Sequence, residues 1–190
     1  MGRLKTPRLK LELDAYQLRK VRDMDDLLDY LFNPEKASLA KYWLRELKEY
    51  KRKGEPWTAD NWLRFILWYL RAEFPEYLRE FSEIYEYYEQ LAATEDSNTT
   101  LRRKVEKKIK EIAEQQLEDM KAKGIDINDP DRPRTVWELY NTTRAHYNKM
   151  VTQLRLAGLV YKTNEAYGLS RDLKKILRDL EEIIEEFIAD

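Results

Sequence analysis

Around Gly158 the sequence changes its period, and no other stretch restricts the fold as much. Upstream, Tyr147, Met150, Val151 and Leu154 lead to Gly158 at intervals of three and four, so one face of a helix is built to pack. Gly158 stands where a helix end needs a left-handed residue, and Leu159, Val160 and Tyr161 then switch to strand-forming types. Lys162, Thr163, Asn164 and Glu165 make a polar tip, from which Tyr167 to Leu169 return as a second strand. Further back, Thr135 is a candidate N-cap for a short helix with Val136 and Leu139 on one face, and Asn141, Thr142 and Thr143 interrupt it. The expected order is a short helix, a turn, a second helix and a two-stranded ribbon.

Charge leads to the same stretch independently. The chain holds 35 Lys and Arg against 36 Asp and Glu, yet no acid occurs from Leu139 to Asn164, where Arg144, Lys149, Arg155 and Lys162 remain. A duplex carries a phosphate charge every ~1.7 Å of its axis, so a surface that approaches it has reason to exclude carboxylates. The segment LRLAGLVYKTNEAYGLS, Leu154 to Ser170, resembles the recognition-helix end and wing of winged helix-turn-helix DNA-binding domains. The likeness extends over Thr135 to Ser170. It implies a helix in the major groove, with Arg144, His146, Asn148, Lys149, Thr152 and Gln153 toward DNA and Lys162, Thr163 and Asn164 of the wing beside the backbone. Arg134, just before the first helix, joins this set. Base contacts are expected from Arg144, Asn148 and Gln153, since Arg reads guanine and Asn or Gln reads adenine through paired hydrogen bonds.

The expected fold class is mainly α: an N-terminal helical bundle, then the winged helix-turn-helix with its small β-wing, then a long C-terminal helix. A length of 190 residues and a hydrophobic fraction of 43% allow one compact domain or two small ones. Ala93 to Thr100, small and polar, is the expected boundary, giving an aromatic-rich bundle over 1–95 and a winged domain over 99–190. Cysteine is absent, which excludes a disulfide framework and a thiolate metal site and leads us to expect a reducing cytoplasm. The most apolar run, Trp62 to Leu70, is broken by Arg64 and too short to span a bilayer, so no membrane partner is expected. Charged residues reach 37%, a bias that hyperthermophile proteins share.

Taken in order, Leu9, Leu11 and Leu13 alternate with Lys10 and Glu12 as a brief strand, whose partner is either the wing or its own copy in a second chain. A helix over Ala15 to Phe32, broken near Asp23 to Asp25, precedes Asn33-Pro34, which caps a helix carrying Leu39, Tyr42, Trp43, Leu47 and Tyr50 to the basic end Lys51-Arg52-Lys53-Gly54. Those bases favour the helix dipole. Thr58 is expected to begin a helix that is apolar on nearly all sides, and another follows Pro75 to about Ala93. Leu101, Val105, Ile109, Ile112, Gln116 and Met120 mark an amphipathic helix whose start is crowded by Arg102, Arg103, Lys104, Lys107 and Lys108, the unfavourable end for the dipole, so that a phosphate-facing role is an alternative to a structural one. Asp126, Asn128, Asp129 and Asp131 then suit either turn formation or a calcium loop, although the glycine and closing glutamate of the latter are missing. After Ser170, Leu173, Ile176, Leu177, Leu180, Ile183, Ile184 and Phe187 repeat at three and four. This stripe is wide enough to pair with a second copy, with Leu173, Ile176, Leu180, Ile183 and Phe187 in a dimer seam, or to pack on the chain's own bundle.

No nucleophile elbow, phosphate loop or second histidine accompanies His146, so neither catalysis nor a cofactor or metal is expected. Two readings follow. One is a homodimeric, sequence-specific binder of double-stranded DNA, either a transcriptional regulator or an accessory protein of an archaeal plasmid or virus. The other is a helical interaction or scaffold protein that uses a winged fold without DNA.

Overall fold

A computed structural model describes residues 23–95, 97–163 and 166–170. The fold is mainly helical with one small three-stranded antiparallel sheet. Its described residues divide into two compact units, Asp60–Ala145 and a second made from 23–59 and the chain from His146 onward. Each unit takes residues from both sides of position 95, where the sequence reading sets its boundary.

The second unit begins with α1, Met24–Leu31, whose start is capped by Asp23 accepting from the Asp26 amide. Asn33 accepts from the Lys36 amide at 3.2 Å and Pro34 occupies the first turn, so α2, Pro34–Lys53, starts where the sequence punctuates it. Gly54 ends it at φ 74°. Salt bridges Lys41–Asp29 and Arg45–Asp25 join α1 to α2. The sheet runs in the order β1–β3–β2, where β1 is Trp57–Thr58, β2 Val160–Thr163 and β3 Ala166–Leu169. Trp57 stands opposite Tyr167, which on its other side stands opposite Lys162.

The expected helix start at Thr58 is corrected by this pairing. Trp57 and Thr58 are strand, and the helix opens only at Trp62. Two residues are too few to show a strand period, and a partner more than a hundred positions away decides their conformation. The strand expected over Leu9 to Leu13 lies outside the described residues.

In the unit Asp60–Ala145, α3 is Trp62–Glu73, α4 Leu78–Ala92 and α5 Asn98–Ala122. Helix α3 buries Leu63, Phe65, Ile66, Leu67, Tyr69 and Leu70, the nearly all-round apolar helix that the sequence announces. The loop after Gly124 is built from side chains that fold back on their own backbone. Asp126 accepts from the Asn128 amide and Asp129 from the Asp131 amide. Turn formation thus accounts for these acids, and among the described residues no group of three or more potential ligands could hold a metal ion.

Helix α6 follows as Val136–Leu156. At its start Glu138 accepts from the Thr135 amide at 2.7 Å while Thr135 Oγ1 accepts from the Glu138 amide at 3.3 Å, a reciprocal capping box. Arg132 donates to both Glu138 oxygens, at 2.6 and 3.1 Å, and to the Ile127 carbonyl. The Arg132 guanidinium, aided by the Thr135 donors, holds the Glu138 carboxyl below the usual carboxylate range. A lowered folded value contributes stability above the unfolded pKa and loses it as pH falls through the folded one. The urea midpoint should therefore drop on acidification below the ordinary carboxylate range, and Glu138→Gln should flatten that part of the profile. An unchanged slope in Glu138→Gln would show that the clamp carries none of it.

The turn expected at Asn141, Thr142 and Thr143 is corrected outright, because α6 is one continuous helix. Its buried positions are Val136, Leu139, Tyr140, Thr143, Tyr147, Met150, Val151 and Leu154. Thr143, at 6% exposure, occupies the seat that keeps this spacing unbroken. On either side of it Tyr140 donates to Glu106 and Arg144 bonds the same carboxylate at 2.9 Å, fastening α6 to α5. Packing overrides the weak helix propensity of a Thr pair, which amounts to well under ~1 kcal/mol per residue. The residues from Val136 to Leu156 thus form one helix, where a short helix, a turn and a second helix are expected.

Candidate nucleic-acid interface

From His146 to Leu156, α6 belongs to the same unit as the sheet. Its inward positions meet an aromatic cluster centred on Trp43, whose ring lies edge-on to Trp57, Tyr147 and Tyr167 at centroid distances of 5.6, 5.7 and 5.7 Å. Trp43 is fully buried and Trp57 nearly so. Tyr147 is enclosed deeply enough that burial pushes its hydroxyl well above the ordinary tyrosine range. The cluster ties together one residue from each of α2, β1, α6 and β3, so it fixes the outer face of α6 relative to the hairpin. Gly158, at φ 73°, ends the helix, with its amide on the Arg155 carbonyl and the Leu159 amide on the Leu154 carbonyl. The Ser170 amide then returns to the Leu159 carbonyl at 3.0 Å and closes the hairpin base.

Outward, α6 exposes Asn148, Lys149, Thr152 and Gln153, and the hairpin exposes Tyr161, Lys162 and Thr163. Thr152 donates its hydroxyl proton to the Asn148 carbonyl at 2.9 Å, which leaves its oxygen to accept. Lys162 Nζ lies 5.3 Å from the Tyr167 ring centroid. His146 is half-buried with Nδ1 3.4 Å from Glu35 Oε2, so it sits at the margin of this face and beside an acid. Asn164, at the wing tip, lies outside the described residues, as do the seam residues Leu173, Ile176, Leu180, Ile183 and Phe187.

The structure therefore brings His146, Asn148, Lys149, Thr152, Gln153, Lys162 and Thr163 into one unit. Arg134 and Arg144 belong to the other. Arg144 is bonded to Glu106, and Arg134 lies 6.0 Å from the Phe74 ring centroid while its carbonyl accepts from the Tyr77 hydroxyl. Four of the five crowded bases at the start of α5 are tied as well: Arg102 to Glu106, Lys104 to Glu95, Lys107 to Glu111 and Lys108 to Glu83. These ion pairs give that cluster a structural role.

Sequence reasoning missed Trp57 and Thr58 as the third strand, and it left Arg155, Leu156 and Tyr161, which are also exposed, out of the DNA-facing set. Pro56 just before two strand-forming residues is the signal that was available. No described helix is long and apolar enough to cross a membrane. Comparison with protein-family models, with curated proteins and with solved structures gives no match for this chain.

Proposed function

We propose that this chain binds double-stranded DNA through a winged unit, with the His146–Leu156 part of α6 in the major groove and the β2–β3 hairpin beside the phosphate backbone. One observation carries the reading. An exposed helix face rich in hydrogen-bonding groups adjoins an antiparallel ribbon in the same unit, and between Leu139 and Thr163 there is no carboxylate. The strand order β1–β3–β2, with the hairpin directly after the helix, supports a winged-helix-like unit. We read Asn148 and Gln153 as base-reading and Lys149 and Lys162 as phosphate-holding groups. A dimer acting in transcription, or as an accessory protein of a plasmid or virus, fits such a unit.

Selection of bound sequences from random duplexes tests binding and specificity together, and a palindromic outcome would report a two-fold dimer. Asn148→Ala and Gln153→Ala should each relax preference at one position by about 1–3 kcal/mol. Lys149→Ala and Lys162→Ala should weaken every sequence alike. Equal losses from all four variants on every sequence would contradict the assignment of roles. The competing reading, a protein-binding wing, is favoured by the exposed Leu156 and Tyr161; absence of a mobility shift with duplex DNA at low salt would decide for it.

A further inference from the structure

The hairpin is more aromatic than a grip on phosphates requires. Tyr161 and Thr163 share one face of the ribbon with their partners Gly168 and Ala166. The Tyr161 ring lies so near Gly168 that a Cβ there would stand 2.7 Å from both Tyr161 Cζ and Oη. Glycine therefore lets the ring rest on β3, and 45% of Tyr161 remains exposed. Beside it opens a cleft of about 370 Å³ between the C-terminal end of α2 and the hairpin, lined among others by Tyr50, Lys51, Glu55, Trp57, Tyr161 and Tyr167. Its size suits a small ligand or one unit of a polymer.

The lining describes its occupant chemically. Tyr161 offers an exposed flat ring, Lys51 an exposed cation and Glu55 a carboxylate acceptor. A nucleotide presents the complements of all three, with a π face on the base, a negative phosphate and, in three of the four bases, an exocyclic amino group. Inside a duplex those base faces are stacked away and cannot be reached. Lys53, two residues on, is exposed but does not line the cleft, and Arg52 is paired with Glu49 at 3.0 Å.

We propose that this cleft receives an unpaired nucleotide, so that the preferred ligand is DNA carrying a single-stranded tail or branch next to its duplex. The duplex part of the statement rests on the proposed role of α6; the cleft stands on its own lining. Fluorescence anisotropy with the full chain and three probes tests it: a blunt duplex, the same duplex with a tail of about six nucleotides, and the tail strand alone. The tailed duplex should bind about tenfold more tightly than the blunt one. Tyr161→Phe should retain that gain, Tyr161→Leu should erase it with blunt-duplex binding intact, Lys51→Ala should reduce it, and Arg103→Ala in the other unit should leave it unchanged. Circular dichroism checks that each variant is folded.

Equal affinity for blunt and tailed duplex, or a full gain in Tyr161→Leu, overturns the proposal. Binding of the single strand that depends on Tyr161, with no binding of blunt duplex, upholds the cleft and removes the duplex reading of α6. Failure of all three probes to bind overturns both.

Discussion

Affinity for duplex DNA should fall by about three to five orders of magnitude between roughly 50 and 200 mM salt. Lys53, Lys149, Arg155 and Lys162 are exposed cations of the unit that holds the helix face and the hairpin. Two copies of the chain would bring about eight such charges to one site, and eight neutralised phosphates give a log–log slope near −7 through counterion release. The titration is measured by anisotropy at several salt concentrations on a single duplex. Removing one of these lysines should make the slope shallower by about one in a monomer and about two in a dimer. A slope close to zero would leave no electrostatic basis for the proposed function.

Trp43→Ala should cost about 3–5 kcal/mol of stability, the usual range for deleting a buried large aromatic. The indole is 0% exposed and contacts three rings edge-on, each contact being worth about 0.5–1.5 kcal/mol beyond simple burial. Its removal opens a cavity where α2, β1, α6 and β3 meet, so the hairpin loses its fixed position beside α6 and DNA affinity should fall with stability. Trp43→Phe should be milder than area alone suggests. Among the described residues Trp43 Nε1 is buried with no acceptor, and a phenyl ring has no donor to strand. Urea denaturation followed by circular dichroism measures both variants. A loss under about 1 kcal/mol for Trp43→Ala would mean that the cluster is not the keystone of its unit.

What the sequence disclosed correctly was local chemistry. Asn33-Pro34 opens α2, Gly54 closes it, Thr135 caps α6, and Gly158 ends it. In each case the residue acts on backbone groups within about four positions of itself, so the signal and its effect lie in the same window. Asn141 to Thr143 were misread for the opposite reason. Their low propensity is visible locally, but the burial of Thr143 and the anchoring of Tyr140 and Arg144 on Glu106 come from a helix that lies some 35 residues earlier. Trp57 and Thr58 are the same case over a greater span. On the candidate interface, acid exclusion and periodicity correctly separated the buried positions Tyr147, Met150, Val151 and Leu154 from exposed Asn148, Lys149, Thr152 and Gln153. Periodicity has no means of showing that Arg144 already holds a carboxylate.

The pairing of Trp57 with Tyr167 also sets the order in which the chain can assemble. The β2–β3 hairpin forms from neighbours, whereas β1 must close a loop of roughly 110 residues before its two bridges return anything. At a synthesis rate of about 5–20 residues per second, the tryptophan-bearing edge formed by α2 and β1 waits on the order of 5 to 20 s for its missing strand. During that interval Trp43 and Trp57 lack their cover, so nascent chains released or stalled before Tyr167 should be the ones that need a chaperone.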